Sequence, residues 1–299
     1  MKLKNKIKIV GIGEILWDIF PDCKKLGGAT SNFAYYVSIL WQNGIIGSGI
    51  GNNLLGKEIL HSQDRLDINQ DYIQINTKHP TSTVEVKLDE NGNPNYIINE
   101  NVAWDFLELN SSWEKLAKEV DAACFGTISQ RSNKSKKTVI DFLNMMRSDA
   151  LKIFDINLRQ NYYTKEVIIN SLIIASILKL NIDEFNALTK LLGYERNNKK
   201  SLSRRLINEY DLELVCCTRG KNGSLLVGKN DYFDHSGYET QIADTIGAGD
   251  AFTAAMVVEY FNGGNLKEIS NKANKMGSLV SSFTGPILEL NDLEIQNHL

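Results

Sequence analysis

The residues with the most specific chemistry lie in the segment Asp244–Phe252, which reads DTIGAGDAF. The apolar run behind it contains no Gly or Pro, so we predict a buried helix that begins near Gly247. Gly247, Ala248 and Gly249 would leave unpaired backbone N–H groups open to an anion at the helix N-terminus. Asp250 would stand beside them in the first turn, where the helix dipole favours a carboxylate.

This arrangement suits the transfer of a phosphoryl group to a hydroxyl. Backbone N–H groups stabilise charge on the moving group, and a fixed carboxylate accepts the hydroxyl proton. The alternative interpretation is an ordinary helix start at which Asp250 only complements the helix dipole.

A second glycine-rich element, GGATSNFA, begins at Gly27 and Gly28. It opens a predicted helix that runs to Trp41, with Gly44 as the stop signal. Paired glycines allow the backbone to close on a small polar ligand, and the amide of Asn32 can both donate and accept hydrogen bonds. A tight turn with a helix cap is the alternative interpretation.

Both glycine elements are similar to motifs of one protein family. DTIGAGDAF closely resembles the C-terminal signature of the PfkB (ribokinase-like) family of sugar and nucleoside kinases. GGATSN resembles the G-G-x-x-x-N element with which that family holds the sugar, although Thr30 stands where many relatives have Pro. The resemblance implies that Asp250 is the catalytic base and contacts the substrate. It also implies that the backbone of Gly247, Ala248 and Gly249 forms an anion hole. The sugar-binding residues that it implies here are Gly27, Gly28 and Asn32.

The remaining sequence predicts the fold that positions these residues. Short apolar stretches alternate with helical patterns, as in a doubly wound α/β fold with a mostly parallel sheet flanked by helices. The predicted strands are Ile7–Ile12, Ile45–Ile50, Ala122–Phe125, Leu151–Ile156, Leu178–Ile182 and Leu214–Thr218. The predicted helices include Leu54–Arg65, Lys134–Arg147, Lys165–Ser176 and Glu184–Leu192. The chain has 299 residues, whereas a single hydrophobic core usually supports up to ~250. We therefore expect one large domain with an appendage, and the resemblance implies that residues 1–299 form a single kinase domain.

Two segments depart from this alternation and predict a small second sheet. Glu14–Phe20 reads as a strand directly after the first one. Thr81–Leu88 and Asn95–Asn99 show period-two alternation around the turn residues Asp89–Pro94, which predicts a hairpin. The resemblance implies that such strands, inserted at about 14–28 and 80–105, form a lid over the sugar and often a homodimer contact.

Polar side chains follow several predicted strands, at the edge where open α/β sheets bind ligands. The resemblance implies that Asp18 accepts sugar hydroxyls, and an exposed edge charge is the alternative. Asp155, Asn157 and Arg159 form D-x-N-x-R, and strand alternation would put all three on one face. Arg159 could bind substrate and the transferring phosphoryl by bidentate hydrogen bonds, or instead pair with Asp155.

Further motifs predict the nucleotide side of the site. Asn181 and Glu184 resemble the family's N-x-x-E motif, which positions phosphate and Mg²⁺ largely through water, and a capping acid is the alternative for Glu184. TRGKNGS resembles the family's T-x-G-x-x-G nucleotide loop. The predicted ATP-binding residues are Asn181, Thr218, Gly220, Gly223, Gly247, Gly249 and Asn274, the last on a late helix that borders adenine in relatives.

Two more assignments rest on the resemblance. Trp104, just after the hairpin, is predicted to stack on the substrate, with core filling as the alternative. Asp244 and the Ser281–Gly285 loop correspond to positions that order a monovalent cation in many relatives. Potassium therefore joins Mg²⁺ as a candidate cation.

Composition argues against several functional classes. The net charge of −3 speaks against general nucleic-acid binding, and no stretch approaches the ~20 apolar residues of a membrane span. The N-terminal apolar run meets Gly11 and Gly13 too early for a signal peptide. The four cysteines form no disulfide framework and no C-x-x-C metal pattern, so we expect reduced thiols in a cytoplasmic protein.

The functional prediction follows from the motifs together. GEILWDIFP, GGATSNFAYYVS, ENVAWDFL and DINLRQNYY look most like bacterial fructokinases within the family. The implied activity is in-line transfer of the γ-phosphate of ATP, with Mg²⁺, to a free sugar, first of all fructose. Alternatives are another sugar, such as ribose or 2-keto-3-deoxygluconate, and a non-catalytic sugar sensor. Gly11-x-Gly13 after the first strand is the one feature that suggests a nicotinamide-binding oxidoreductase. The dinucleotide-binding fingerprint also requires glycine or alanine at the position of Leu16, so this signal is weak.

Overall fold

In the computed structural model, which describes residues 6–20, 22–88, 94–195 and 197–288, the central feature is a nine-stranded sheet. The strands of the described chain are, in order, β1 Lys8–Ile12, β2 Leu16–Ile19, β3 Lys24–Gly27, β4 Asn43–Gly51, β5 Ile73–Asn76, β6 Ser82–Leu88, β7 Pro94–Ile98, β8 Ala122–Phe125, β9 Leu151–Asp155, β10 Ile177–Asn181, β11 Leu214–Thr218, β12 Ser224–Gly228 and β13 Tyr232–His235. The spatial order of the large sheet is β13-β12-β11-β10-β9-β8-β1-β4-β5. Its seven strands β5, β4, β1, β8, β9, β10 and β11 run parallel to one another. At the other edge, β12 and β13 are antiparallel.

Helices cover both faces of this sheet. In the described chain they are α1 Ala29–Ile39, α2 Leu54–Arg65, α3 Ser111–Glu119, α4 Asn133–Met145, α5 Lys165–Ile174, α6 Ile182–Leu191, α7 Lys199–Tyr210, α8 Ala248–Phe261 and α9 Leu266–Ser281. One hydrophobic core lies under α3 to α7 and the other under α1, α2, α8 and α9. Successive residues of β1 alternate between them, since Ile9 joins one core and Val10 the other. The predicted doubly wound, mostly parallel fold is confirmed.

The predicted second sheet is also confirmed, and it has four strands in the order β3-β2-β6-β7. β2 pairs parallel with β6, while β2–β3 and β6–β7 are antiparallel. The predicted hairpin is β6–β7, and most of its predicted turn, residues 89–93, lies outside the described residues. The indole of Trp17 donates to the backbone oxygen of Leu55 at 3.0 Å, which ties this lid sheet to α2.

Candidate active site

Two adjoining cavities lie at the carboxyl end of the parallel strands. One, the lid cavity, has about 550 Å³ and lies under the small sheet, where Asp18, Val84 and Ile98 line it. The other, the α9 cavity, has about 340 Å³ and is bordered by Gly277 and neighbouring residues of α9. Four residues line both cavities, which therefore meet at Asn181, Thr218, Thr245 and Gly249.

The N-terminus of α8 lies at this meeting point. Gly247 caps the helix with φ 79°, and a Cβ there would stand 2.5 Å from the backbone oxygen of Pro286, so only glycine fits. The helix begins at Ala248, which confirms the predicted start near Gly247. Gly247 lines the lid cavity, Ala248 lines the α9 cavity and Gly249 lines both. The N–H of Ala248 donates a long hydrogen bond of 3.4 Å to the backbone oxygen of Thr245. The other N–H groups of a helix's first turn have no partners within the helix and can bind an anion.

Asp250 lies on the lid-cavity side of the same turn. Its Oδ2 accepts a hydrogen bond of 2.8 Å from Nδ2 of Asn32, so the two glycine motifs meet although 218 residues separate them. Burial, together with the negative charge of Asp155, raises the pKa of Asp250 to about 7. The hydrogen bond from Asn32 and the charge of Lys179 act in the opposite direction but do not cancel this rise. The carboxyl group is thus poised to exchange a proton near neutral pH.

A buried ion pair, absent from the predicted site, lies beneath this turn. Nζ of Lys179 donates to both carboxylate oxygens of Asp155, at 3.1 and 2.9 Å. Burial alone would lower the pKa of Lys179, but the carboxylates of Asp155 and Glu184 raise it above its ordinary value, so the ammonium stays charged. A Cβ at Gly249 would lie 3.3 Å from this ammonium, which places its positive charge directly behind the anion-binding turn. The sequence signal was a lysine within the otherwise apolar strand ILKLN.

The lid side of the site contains the predicted sugar-binding residues. Asp18 lines the lid cavity beside Gly28 and Asn32. Burial and, less strongly, the charge of Asp244 raise the pKa of Asp18 to about 6, although the charges of Arg159 and Lys25 oppose this rise. A Cβ at Gly27 would stand 2.3 Å from Oδ2 of Asp18, so glycine there admits the carboxylate.

The D-x-N-x-R motif does not occupy one face as predicted. Strand β9 ends at Asp155, and Asn157 adopts the left-handed region at φ 41°, which breaks the alternation. Asp155 pairs with Lys179 and not with Arg159. Asn157 and Arg159 nevertheless line the lid cavity, and the Arg159 guanidinium lies close enough for its charge to oppose the burial-induced rise in the pKa values of Asp18 and Glu184.

Asn181 and Glu184 form a capping box at the start of α6. Oδ1 of Asn181 accepts from the N–H groups of Asp183 and Glu184, and Oε2 of Glu184 accepts from the N–H of Asn181 at 2.8 Å. Oε1 of Glu184 accepts from the N–H of Leu158, so each carboxylate oxygen can accept a further hydrogen bond, on a side chain that lines the lid cavity. Mg²⁺ usually binds through one or two carboxylates, water and phosphates, and Glu184 fits that role. Within the described ranges, no group of three His, Cys, Asp or Glu side chains could hold a metal directly.

The nucleotide-loop residues line the α9 cavity, as do Asn181 and Asn274. A short 3₁₀ turn begins at Gly220 and is capped by Gly223, and both glycines have positive φ. A Cβ at Gly223 would collide with the backbone oxygen of His235 at 2.0 Å, so this glycine lets the loop close on β13. The Nδ2 of Asn274 donates to the hydroxyl of Ser224 and to the backbone oxygen of Ser270.

The Asp244 carboxylate, predicted to order a monovalent cation, is bonded within its own loop and to the chain after α9. Oδ1 accepts from the N–H of Ile246 and Oδ2 from the N–H of Gly285, both at 3.0 Å. The ammonium of Lys25, on β3, stands 3.7 Å from Oδ2. This loop therefore already has a positive charge beside it.

The structure contradicts the prediction that Trp104 stacks on the substrate. Its side chain is fully buried in the core and does not line either cavity. The neighbouring Asp105 is bound to Arg131 by two short hydrogen bonds, and the guanidinium lies 4.1 Å from the centre of the Trp104 ring. Apolar packing, the alternative interpretation, is what the structure shows.

An open, mostly parallel sheet, two cavities that meet at a helix start, and a carboxylate in the first turn of that helix define a phosphotransferase with an alcohol acceptor. Residues 23–292 match the model of the pfkB family carbohydrate kinases. The chain belongs to that family and is a sugar kinase, which confirms the resemblance of its two glycine motifs.

Known relatives cover most of the chain. A sugar kinase of Pyrococcus horikoshii, PH1459, is 26% identical over an alignment 297 positions long, which covers 93% of this chain and 91% of the relative. Its crystal structure in complex with ATP has a TM-score of 0.81 at 26% identity and covers 93% of both chains. A fructokinase of Salmonella typhimurium is 25% identical over an alignment 264 positions long, which covers 84% of this chain and 83% of the relative.

A fructokinase structure shares the fold at lower identity. The Vibrio cholerae O395 enzyme, in its fructose, ADP and calcium ion bound form, has a TM-score of 0.83 at 21% identity. The match covers 98% of this chain and 99% of the other. Among the helices of the described residues, none has the length and apolar character needed to cross a membrane.

Proposed function

We propose that the protein transfers the γ-phosphate of ATP to a hydroxyl of a free sugar, with fructose as the first candidate. The observation that carries this proposal is the position of the α8 N-terminus. Gly249 lines both cavities and Asp250 lines only the lid cavity, so a sugar beneath the lid can meet a phosphate entering from the α9 cavity.

In the proposed reaction, Asp250 accepts the proton of the sugar hydroxyl while its oxygen attacks the γ-phosphorus. The bond between that phosphorus and the bridging oxygen of ADP breaks, and its electron pair leaves with ADP. The N–H groups of Gly247, Ala248 and Gly249 stabilise the charge of the moving phosphoryl. The pKa of about 7 makes Asp250 a stronger base than an ordinary aspartate.

The sugar would occupy the lid cavity. We propose that Asp18 and Asn32 bind the sugar hydroxyls. Gly27 and Gly28 let the backbone come close to the sugar. Arg159 binds the sugar or the phosphoryl group that is being transferred. All of these except Gly27 line the cavity, and Gly27 supports it by admitting Asp18.

The nucleotide would occupy the α9 cavity. The proposed contacts are Asn181, Thr218, Gly220, Gly223 and Asn274, all of which line it. The ATP complex of PH1459 supports ATP as the donor. Bound Mg²⁺, which Glu184 would position through water, supplies charge neutralisation on the phosphates.

A free sugar is favoured over a sugar phosphate by the cations of the lid. Lys24 pairs with Glu58 on α2, and Lys25 stands beside Asp244, so neither is free for a second phosphate. The Salmonella relative named a fructokinase supports fructose. Ribose and 2-keto-3-deoxygluconate remain the alternative acceptors. A non-catalytic sensor is the other alternative, but the proposed base and the anion-binding glycines are both present.

We further propose that residues 1–299 act as one kinase domain with the small sheet as its lid, in the cytoplasm, and that two copies pair through that sheet. Light scattering on the purified protein tests the pairing. A K⁺ requirement does not enter the proposal, because Lys25 already stands at the Asp244 loop.

A substrate panel tests the activity. Fructose, ribose, 2-keto-3-deoxygluconate, tagatose 6-phosphate and fructose 6-phosphate are each supplied with Mg-ATP, and ADP release is measured. We expect the highest kcat/KM with fructose. A preference for either sugar phosphate would contradict the free-sugar assignment, and absence of ADP release with every sugar would favour the sensor.

A further inference from the structure

Two buried hydrogen-bond acceptors, on residues that line the lid cavity, have no partner within the described residues. They are Oε2 of Glu14 and Oδ1 of Asn32, on side chains that are each only 3% exposed. Both residues line the cavity. A buried acceptor that lacks a donor costs free energy, so a polar site that keeps two of them is suited to a ligand that supplies donors.

Glu14 is held rigidly with this oxygen free. Its Oε1 accepts from the N–H of Ala29 at 2.9 Å, in the first turn of α1. Its backbone oxygen accepts from the hydroxyl of Thr30 at 3.1 Å, and a Cβ on Gly28 would collide with it at 2.4 Å. Both ends of the residue are therefore fixed against the glycine-rich element, and the direction of Oε2 is set before any ligand arrives.

The side chain of Asn32 is also fixed by a hydrogen bond, which leaves its Oδ1 without a partner in the described part of the chain. Because Nδ2 must donate to the Asp250 carboxylate, Oδ1 turns away from it and stays available as an acceptor. Glu14 is near enough to Asp250 for its charge to raise the pKa of the latter. The two free acceptors thus lie around the carboxylate proposed to receive the hydroxyl proton.

We infer that Glu14 is a further substrate-binding residue, whose Oε2 accepts a hydrogen bond from a sugar hydroxyl beside the one that reacts. The inference rests on the proposed function, because it takes the lid cavity as the acceptor site. It also defines the ligand class: a neutral polyol with free hydroxyl donors on the side that faces Glu14. A carboxylate or phosphate at that position would meet the charges of Glu14 and Asp250 and would be repelled.

The substitution Glu14→Gln tests this assignment with little change of shape. The amide oxygen can still accept from the N–H of Ala29, while the amide nitrogen replaces the free acceptor with a donor. We expect the KM for fructose to rise by about 10- to 100-fold, the loss expected for one hydrogen bond to a charged group. The KM for ATP should stay unchanged, and the melting temperature should be equal or higher, since the α1 cap is preserved and burial raises the pKa of the replaced Glu14 carboxyl.

Glu268→Gln is the matched control. Glu268 also caps a helix, with Oε2 accepting from the N–H of Asn265 at 2.9 Å, but it lines neither cavity. This variant should keep the wild-type KM values. If Glu14→Gln does not fold, Glu14→Asp keeps the charge but withdraws the carboxylate by one methylene, and the same rise in the fructose KM is expected.

Mono-deoxyfructoses identify the hydroxyl. One of them should raise the wild-type KM by the same about 10- to 100-fold, and this penalty should disappear in Glu14→Gln for that analogue alone. An equal penalty in both proteins for every analogue, or a fructose KM unchanged in folded Glu14→Gln, would overturn the inference while leaving the kinase assignment intact. A wild-type protein that neither phosphorylates nor, by calorimetry, binds any free sugar would overturn both.

Discussion

Asp250 owes its basicity to neighbours that are distant in the sequence. A carboxylate at a helix start would be expected to have a low pKa, because the dipole stabilises its charge. In the folded chain, burial and the charge of Asp155 raise the pKa to about 7 despite the hydrogen bond from Asn32. The acid dissociates in the pH range where a kinase works, which is the usual optimum for a general base.

The pH dependence of kcat/KM should reveal this pKa. Asp250 acts only when deprotonated, so kcat/KM should be maximal above pH 7 and fall by about tenfold for each unit below it. The pKa of Asp18, about 6, should steepen the fall further when its carboxylate is protonated. Steady-state kinetics with fructose between about pH 5 and 9 measure the profile. A rate that stays constant down to pH 5 would contradict the role of Asp250.

The substitution Asp250→Asn isolates the proton transfer. We expect kcat to fall by at least about two decades, the contribution typical of a general base. ATP affinity should change little, because the backbone N–H groups remain. The folded state disfavours the ionised carboxyl, as its raised pKa shows, so at pH 8 the neutral amide should leave the melting temperature equal or higher.

Asp141→Asn serves as the control for that substitution. Asp141 lies on α4 and pairs with Lys137 at the surface, remote from both cavities. Its loss should leave kcat unchanged. Near-normal turnover of folded Asp250→Asn would show that another group accepts the proton.

Single residues were predictable where their motif was local. Gly247 and Asp250 could be placed from the small residues and the apolar run behind them, because a helix start depends on neighbours in sequence. Lys179 was missed because its partner Asp155 lies on another strand, and only the register of β9 and β10 brings them together. Trp104 was assigned wrongly because a buried indole and a stacking indole have the same local pattern.

Helices and strands were also predictable where they depend on local sequence, and not where they depend on long-range contacts. The helix Leu54–Arg65 was predicted with the bounds that the structure gives. The antiparallel strands β12 and β13 were not predicted, since their pairing with β11 depends on a sheet edge that the sequence does not mark. Alternation failed at Asn157 because the backbone leaves the strand at Asp155 and turns left-handed.

The loop between β13 and α8 gains its order from the lid and from the chain after α9. Asp244 joins its own loop to Gly285, and Lys25 reaches it from β3. We predict that wild-type turnover is equal in K⁺ buffer and in a Tris buffer without K⁺. Lys25→Met keeps the length of the side chain but removes the ammonium, so this variant should become slower without K⁺ and be stimulated by adding it.

Lys24→Met is the matched control for the cation test. Lys24 is the neighbour of Lys25 on the same strand, but it pairs with Glu58 and does not contact Asp244. It should behave as the wild type in both buffers. Potassium stimulation of the wild-type protein itself would contradict the role given to Lys25.

At the scale of the whole molecule, Arg131 connects the lid to the large sheet. Its Nη2 donates to the backbone oxygen of Asn99, just after β7, at 2.6 Å, and its Nε donates to Asp105 at 2.7 Å. The guanidinium packs against Trp104 and Tyr162, at 4.1 and 4.9 Å from the ring centres. The buried guanidinium of Arg131 thus contacts the end of a lid strand at Asn99, the core at Trp104, and the loop after Arg159 at Tyr162.

Arg131→Met should therefore weaken both stability and sugar binding. The side chains of Arg131 and Asp105 are only 6% and 5% exposed, so the substitution leaves a buried charge unpaired. We expect the free energy of unfolding in urea to fall by about 3–5 kcal/mol. The fructose KM should rise while the ATP KM stays constant, because β7 lines the lid cavity through Ile98 and loses its anchor.

Two further variants separate this explanation from a general loss of charge. Arg147→Met removes an arginine that pairs with Asp121 and Asp149 but is 39% exposed, so it should cost no more than about 1 kcal/mol. Arg131→Met combined with Asp105→Leu removes both buried charges and should recover most of the stability lost by Arg131→Met alone. The fructose KM should nevertheless stay high in the double variant, because the hydrogen bond to the backbone of Asn99 is still missing. Recovery of the fructose KM together with stability would mean that Arg131 supports the fold without anchoring the lid.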